Sequence, residues 1–386
     1  MLDQQTIDLI KATVPALEVH GTTITKTFYK NMFNDHPELL NIFNKTNQKQ
    51  GKQPTALATT VLAAAKHIDN LGAILDHVIQ IGHKHRALQI KPEHYAIVGK
   101  HLLIAIKEVL QDAATPEIID AWAKAYQVIA DAFIQVEQKM YDEAAWQDFQ
   151  PFEVVGKRAV SNDIIEFTVK NDAILNGLTV QAGQYITVQV QPKADDNLAL
   201  RHYSICSVDL SAGLKFAVKR ESTEGIPGVV SNYLHDEVQV GDKINLSAPA
   251  GDFLLEQNDR PVVLLSGGVG ITPILAMLDA QVATNAQRPL VWINATKNQE
   301  TEAFKAEVAQ YLAKANVVHA ATLYSADQQR ITAEYLAEHL PENADIYLCG
   351  SVRFMESVIG LLEGLNRPQQ TIHFEPFGPK MSLIKV

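Results

Sequence analysis

The sequence predicts a multidomain protein with three classes in series: all-α, then an antiparallel β-barrel, then α/β with a parallel sheet. Three observations carry this reading. Over residues 1–147 apolar side chains recur at three- and four-residue intervals, and no run alternates like a strand. Over residues 148–259 short alternating runs are separated by glycines and asparagines. Over residues 260–386 apolar β-branched runs alternate with helical ones, the pattern of a sheet covered on both faces. The length of 386 residues suits two or three domains of roughly 100–200 residues each.

The first part has room for roughly six to eight helices. Lys91-Pro92-Glu93 opens a long one, and Thr115-Pro116-Glu117 opens another with an N-cap, a first-turn proline and an acid. This second helix carries the stripe Ile118, Trp122, Tyr126, Ile129, Phe133 and Met140. In the middle part FEVVGKR, DIIEFTVK, YITVQVQ, LKFAVKR and KINLSAP read as strands of a barrel or sandwich. In the last part PVVLLSG precedes a helix expected at 273–283, LVWINAT one at 302–313, and DIYLCG one at 354–362.

Composition narrows the function. The formal net charge is -11 and no Lys/Arg run exceeds a pair, which argues against nucleic acid or an anionic membrane as partner. Cys206 and Cys349 form no disulfide or metal framework, so a reducing cytoplasm is expected. The start MLDQQTIDLIK lacks the basic and apolar regions of a signal peptide. The uncharged stretch from Pro261 to Leu278 is broken by SGGVGITP, so it reads as strand, loop and helix and no membrane anchor is expected.

Two regions carry candidate chemistry. SGGVGITP follows a buried strand and opens a helix, where glycines and a helix N-terminus suit a phosphate. Alone, such a turn is also compatible with binding nothing. Likewise Tyr185 and Tyr203, taken alone, read more readily as barrel aromatics, and Cys349 as a buried small hydrophobe.

The second region is GHKHRALQIKPEHY, residues 82–95. At about 100° per residue His85 shares a face with Ile74, Val78 and Ile81, whereas His83 turns to roughly the opposite side. His94 stands beyond Pro92 in another element, so the three histidines lack zinc-ligand spacing. Glu137 falls on the apolar stripe between Phe133 and Met140, where a carboxylate is costly to bury unless paired. A His85–Tyr95–Glu137 set from three helices would satisfy it. The alternative is that Glu137 points to solvent at the end of an irregular helix.

The ordered signals RHYS at 201–204, GVVSNYLH at 228–235, GVGITP, YLCG at 347–350 and EPFGP at 375–379 resemble the ferredoxin–NADP⁺ reductase superfamily. That resemblance implies FAD contacts at Tyr185, Arg201, His202, Tyr203, Ser204, Gly228, Val230, Ser231, Pro376, Phe377, Gly378 and Pro379. It implies pyridine-nucleotide contacts at Gly268, Val269, Gly270, Ile271, Thr272, Pro273, Cys349 and Gly350.

With NIFN at 41–44, KHRALQIKPEHY at 84–95 and FIQVEQKMY at 133–141, the full chain resembles the bacterial flavohaemoglobins. The resemblance implies a globin (haem) domain over 1–147, an FAD-binding barrel over 148–259 and an NAD(P)H-binding domain over 260–386. It makes His85 the proximal ligand of haem b, with Tyr95 and Glu137 orienting it. Tyr29 and Gln53 match the distal pocket, Phe43 and Leu57 apolar neighbours of the haem, Lys84 a tuning position, and Glu375 a carboxylate between haem and flavin. The implied activity converts NO and O2 to nitrate at a haem reduced by NAD(P)H through FAD, in a cytoplasmic monomer. A flavin reductase serving another acceptor, and an oxygen carrier or sensor with its own reductase, are the alternatives.

Overall fold

The computed structural model describes residues 2–43, 48, 51–192, 196–223 and 226–377. The chain divides into two compact units, Met1–Asp148 with Lys193–Leu200, and Phe149–Pro192 with Arg201–Val386.

The first unit is helical: α1 (Gln4–Ala12), α2 (Val14–Asp35), α3 (Lys52–Lys66), α4 (Leu75–Ala87), α5 (Pro92–Leu110) and α6 (Pro116–Asp142). The starts of α1 and α6 are set by side-chain caps, which satisfy donors left free in the first turn. Asp3 accepts from the Thr6 amide at 2.8 Å, and Thr115 accepts from the Ile118 amide. At α5 the cap is unusual: the Lys91 amide donates to His94 Nδ1 at 3.0 Å, so one of the three histidines is spent on ending a turn. Phe28, Met32, Leu102, Ile106 and Trp122 fill the core where α2 packs on α3 and α5.

A glycine brings α5 and α6 together. A Cβ at Gly99 would lie 2.4 Å from the Tyr126 ring, so no other residue lets that ring rest on α5. The Tyr126 hydroxyl then donates to the Tyr95 carbonyl at 2.7 Å, and Tyr141 donates to the Ile90 carbonyl at 2.7 Å. The first bond ties α5 to α6, and the second ties the α4–α5 turn to α6.

The second unit begins with an antiparallel sheet. Its strands are β1 (Gln150–Ala159), β2 (Ile164–Lys170), β3 (Tyr185–Val190), β4 (Ala199–Ser204), β5 (Leu214–Lys219) and β8 (Lys243–Leu246), with β6 (Ser222–Thr223) and β7 (Ile226–Pro227) as a small hairpin. A short turn of helix, α7 (Asp172–Leu175), precedes β3, and α8 (Val229–Asp236) follows β7. The six strands pair in the order β4-β3-β8-β1-β2-β5, and an antiparallel bridge between Ile205 and Phe216 returns the end of β4 to β5. Alternation places Phe152, Phe167, Ile186, Val188 and Phe216 inside.

The remainder is a parallel sheet of β9 (Val262–Gly267), β10 (Leu290–Thr296), β11 (Val317–Tyr324), β12 (Asp345–Gly350) and β13 (Ile372–Pro376), in the order β11-β10-β9-β12-β13. Its helices are α9 (Ile271–Asn285), α10 (Lys305–Leu312), α11 (Ala333–His339) and α12 (Val352–Gly364). Helix α10 starts three residues later than the apolar periodicity predicts. The Glu302 carboxylate accepts from Thr322 at 3.0 Å and Tyr324 at 2.6 Å, and Phe304 adopts φ 58, so tertiary bonds hold this segment out of the helix. Among the described residues, no helix is long and apolar enough to cross a membrane.

Candidate functional site

In the first unit α4 is regular through Leu75–Ala87, so His83 and His85 diverge as helical spacing requires. His85 Nδ1 lies 2.7 Å from Glu137 Oε1 and 3.0 Å from the Tyr95 hydroxyl. The Tyr95 hydroxyl donates to the same Oε1 at 2.6 Å. Glu137 is 3% exposed, so the solvent reading of this carboxylate does not hold. Burial, and then the neighbouring Glu137, push the Tyr95 hydroxyl far above the ordinary phenol range, so it stays a donor. With Tyr95 and His85 both donating to one carboxylate oxygen, the proton of the imidazole sits on Nδ1. Nε2 is left as the atom for a metal, with an anionic partner behind the ring that strengthens it as a donor. The chemistry of this donor set fits a haem iron. Phe133 flanks both rings, at 5.9 Å from His85 and 6.3 Å from Tyr95.

A second cluster of the same unit surrounds Tyr29, which is 8% exposed. Its ring lies 5.7 Å from Phe33, stacked, and 5.7 Å from Phe43, edge-on. Phe43 and Leu57 pack on the core that contains Tyr29. Burial pushes the Tyr29 hydroxyl up, opposed by a hydrogen bond with Gln48. Gln48 Nε2 in turn donates to Gln53 Oε1 at 2.8 Å. The structure therefore brings Tyr29 and Gln53 together through Gln48, which sequence reasoning missed. Nothing in the polar stretch around residue 48 singles it out. Lys84 stands on α4 beside His85.

In the second unit Arg201, Tyr203 and Ser204 lie on β4. Burial lowers the Arg201 pKa, and Tyr203 offsets this in part. The Tyr203 ring stacks on Phe216 at 5.6 Å, and Ser204 is buried. His202 Nδ1 is 2.8 Å from Thr187 Oγ1, and its ring lies 4.8 Å from that of Tyr185. Gly228 caps α8, and a Cβ there would lie 2.7 Å from Ser231 Oγ. Val230 is 1% exposed, so only its main chain could address a phosphate.

The order β11-β10-β9-β12-β13 reverses direction between β9 and β12, the position at which open α/β sheets bind ligands. Both sides of that crevice end in glycine. A Cβ at Gly270 would lie 2.2 Å from the Cys349 carbonyl, and one at Gly350 would lie 2.6 Å from Phe354. Gly268 adopts φ +56 with open space beside it. Thr272 Oγ1 donates to the Val269 carbonyl at 3.0 Å, while Ile271, Thr272 and Pro273 are buried, leaving their backbone to face a ligand. The Cys349 thiol is buried, pushed up by that burial, and donates to the Glu375 carbonyl at 3.1 Å. Pro376 pairs with Gly350 in the sheet, and exposed Phe377 donates its amide to the Gly350 carbonyl. Gly378 and Pro379 lie outside the described residues.

A helical unit with a buried His–Glu–Tyr set, followed by an antiparallel sheet and a glycine-edged parallel sheet, defines a fused haem–flavin oxidoreductase. The Globin family model matches residues 26–133, the Oxidoreductase FAD-binding domain 151–254 and the Oxidoreductase NAD-binding domain 264–359. The chain is 45% identical to the flavohemoprotein of Bacillus subtilis over 99% of each chain. It superposes with a TM-score of 0.86 and 26% identity on a flavohemoglobin from Malassezia yamatoensis with bound FAD and heme, covering 98% of this chain and 100% of that one. The FAD/NAD-binding domain of a nitric oxide dioxygenase from Vibrio cholerae matches 60% of this chain and 100% of its own, with 34% identity and a TM-score of 0.55. The chain belongs to the flavohemoprotein family.

Proposed function

We propose that the chain is an NAD(P)H-dependent nitric oxide dioxygenase, converting NO and O2 to nitrate. The observation that carries this is the His85–Glu137–Tyr95 set, closed within 3.0 Å, in a chain that also holds both nucleotide-binding folds. When bound, haem b and FAD supply oxygen activation and one-electron relay, and NAD(P)H supplies the hydride. Residues 1–147 would hold the haem, 148–259 the FAD and 260–386 the nucleotide.

Each side chain has a defined task in this reading. Glu137 fixes the tautomer of His85 and makes its Nε2 a strong donor, while Tyr95 holds the carboxylate in line. Tyr29, kept as a phenol by burial, offers a proton donor positioned through Gln48 and Gln53. Phe43 and Leu57 keep that surface apolar, and Lys84, next to His85 on α4, would tune the haem potential. Arg201 suits a pyrophosphate, Tyr185, His202, Tyr203 and Ser204 the flavin, and Gly228, Val230 and Ser231 its phosphates. Pro376 and Phe377 would border the flavin, with the Glu375 carboxylate next to them in sequence influencing the electron relay. The backbone from Gly268 to Pro273, with Cys349 and Gly350, would hold the nucleotide. The partners are small molecules and not nucleic acid, and the protein acts as a cytoplasmic monomer.

The test is steady-state NO removal by the purified protein with NADH, with oxygen use and nitrate measured together and the haem spectrum recorded. Catalytic conversion of NO to nitrate is expected. NADH oxidation without a Soret band would make it a reductase for another acceptor. A Soret band with only stoichiometric NO loss would make it an oxygen carrier.

A further inference from the structure

Helix α9 begins at the glycine loop and buries every residue from Ile271 to Gln281. Its sole charge is Asp279, 8% exposed, and nothing assigned so far uses it. A carboxylate is costly to bury unless paired, so its partners identify its role. Its Oδ2 accepts from the Ser207 hydroxyl at 2.7 Å and from the Val208 amide at 3.0 Å. Ser207 Oγ in turn accepts from the Asp209 amide at 3.1 Å, which folds this turn around the carboxylate. The Tyr311 hydroxyl of α10 also bonds to Asp279. Burial, and then that neighbour, push the phenol up to about 12, so it stays a donor.

The partners on either side of this carboxylate belong to the two nucleotide sites. Ser207 and Val208 lie three and four residues beyond Ser204, at the exit of the strand that carries Arg201, Tyr203 and Ser204. Asp279 lies on the helix that the Gly268–Pro273 loop opens, with Ile271 about 12 Å up the axis. Between them Cys206 and Ala217 share one apolar core with Ile274, Leu275 and Leu278. Apolar contact has no preferred direction, whereas two hydrogen bonds to one oxygen do. A rotation of about 5° about this point moves the start of α9 by about 1 Å. A misplacement of that size can slow a reaction between oriented partners by up to about a hundredfold.

We propose that Asp279 is a positioning residue for hydride transfer, locking the exit of the flavin strand β4 to the nucleotide helix α9. This rests on FAD lying at β4 and the nucleotide at the glycine loop, as in the function proposed above. The step passes a hydride from NADH to FAD and leaves NAD⁺ and the two-electron-reduced flavin. Asp279 takes up and gives up nothing in it; it holds the two sites in register.

Anaerobic stopped-flow reduction of the purified holoprotein by NADH gives the saturated rate of flavin reduction and the NADH Kd separately. Asp279→Leu is expected to lower the rate about tenfold or more and to change Kd less than about threefold. The long-wavelength charge-transfer absorbance of reduced flavin with NAD⁺ is expected to weaken with it. Hydrogen exchange at the Val208 amide, which needs no turnover, is expected to quicken. Asp279→Asn keeps an oxygen for Ser207 and Val208 and is expected to restore most of the rate and the absorbance. Wild-type rate and absorbance in Asp279→Leu, a loss confined to Kd, or Asp279→Asn failing as badly as Asp279→Leu would overturn the proposal. If Asp279→Leu does not retain FAD, Ser207→Ala decides. It removes one donor and is expected to slow reduction about threefold with weaker absorbance, and wild-type behaviour overturns the lock. Wild-type holoprotein whose flavin NADH does not reduce would end the functional reading itself; normal wild-type reduction with indifferent variants ends only the lock.

Discussion

Replacing Glu137 by glutamine keeps the shape of the side chain and removes its charge, which isolates what the carboxylate does. Its Oε1 accepts two hydrogen bonds, from His85 at 2.7 Å and Tyr95 at 2.6 Å, in a site where the carboxylate is 3% exposed. Hydrogen bonds to an ionised acceptor contribute about 1.5–3 kcal/mol and neutral ones about 0.5–1.5, so each bond weakens by about 1 kcal/mol. The His85 bond responds to the charge on iron, because an anionic partner makes the imidazole a better donor and favours the ferric state. If about 1–2 kcal/mol follows the iron charge, the haem midpoint potential of Glu137→Gln rises by roughly 40–90 mV, at 59 mV per tenfold for one electron. Spectroelectrochemical titration of the purified protein measures this, and the flavin couple of the same sample serves as an internal control. A haem potential within about 15 mV of wild type, with haem content intact, would refute the reasoning. So would an equal shift of the flavin.

Tyr29→Phe deletes the hydroxyl paired with Gln48, and stopped-flow oxygen dissociation is expected to quicken about tenfold, the value of one hydrogen bond; an unchanged rate would reduce Tyr29 to packing. Gly270→Ala places a Cβ 2.2 Å from the Cys349 carbonyl, and the shift it forces, about 1–3 kcal/mol, is expected to slow NADH oxidation about tenfold while FAD remains bound. Normal NADH turnover would show that this crevice does not receive the nucleotide. Burial holds the His94 pKa below its ordinary value, and its Nδ1 must be unprotonated to accept from the Lys91 amide. The unfolded chain takes up the proton first, near pH 6.5, so this cap loses stability as pH falls below about 6.5. His94→Gln is expected to flatten the fall in thermal midpoint between about pH 7 and 5; parallel profiles for variant and wild type would count against the cap.

Much of this was legible locally. Pro92 and Pro116 mark the starts of α5 and α6 where the sequence places them, because a missing amide and a fixed φ act without tertiary help. Helical spacing separated His85 from His83, and the cost of burying a carboxylate singled out Glu137. Other features depend on contacts remote in sequence. The late start of α10 follows from Thr322 and Tyr324 reaching Glu302, about twenty residues back. Gln48 gains its place only when α2 and α3 pack. The resemblance implies contacts at Val230 and Ile271, but their side chains belong to the core and only their amides are left for a ligand.

The close approach of Gly270 to the Cys349 carbonyl has an implication for how the reductase tolerates change. Where two backbones abut with no room for a methyl group, the floor of the crevice is written in main chain. Substitution around it can retune affinity or nucleotide preference without redrawing that floor. Variation should therefore accumulate at exposed positions around the crevice, while Gly270 stays fixed for steric reasons alone. A library randomised at the rim would yield many active enzymes, and one randomised at Gly270 almost none.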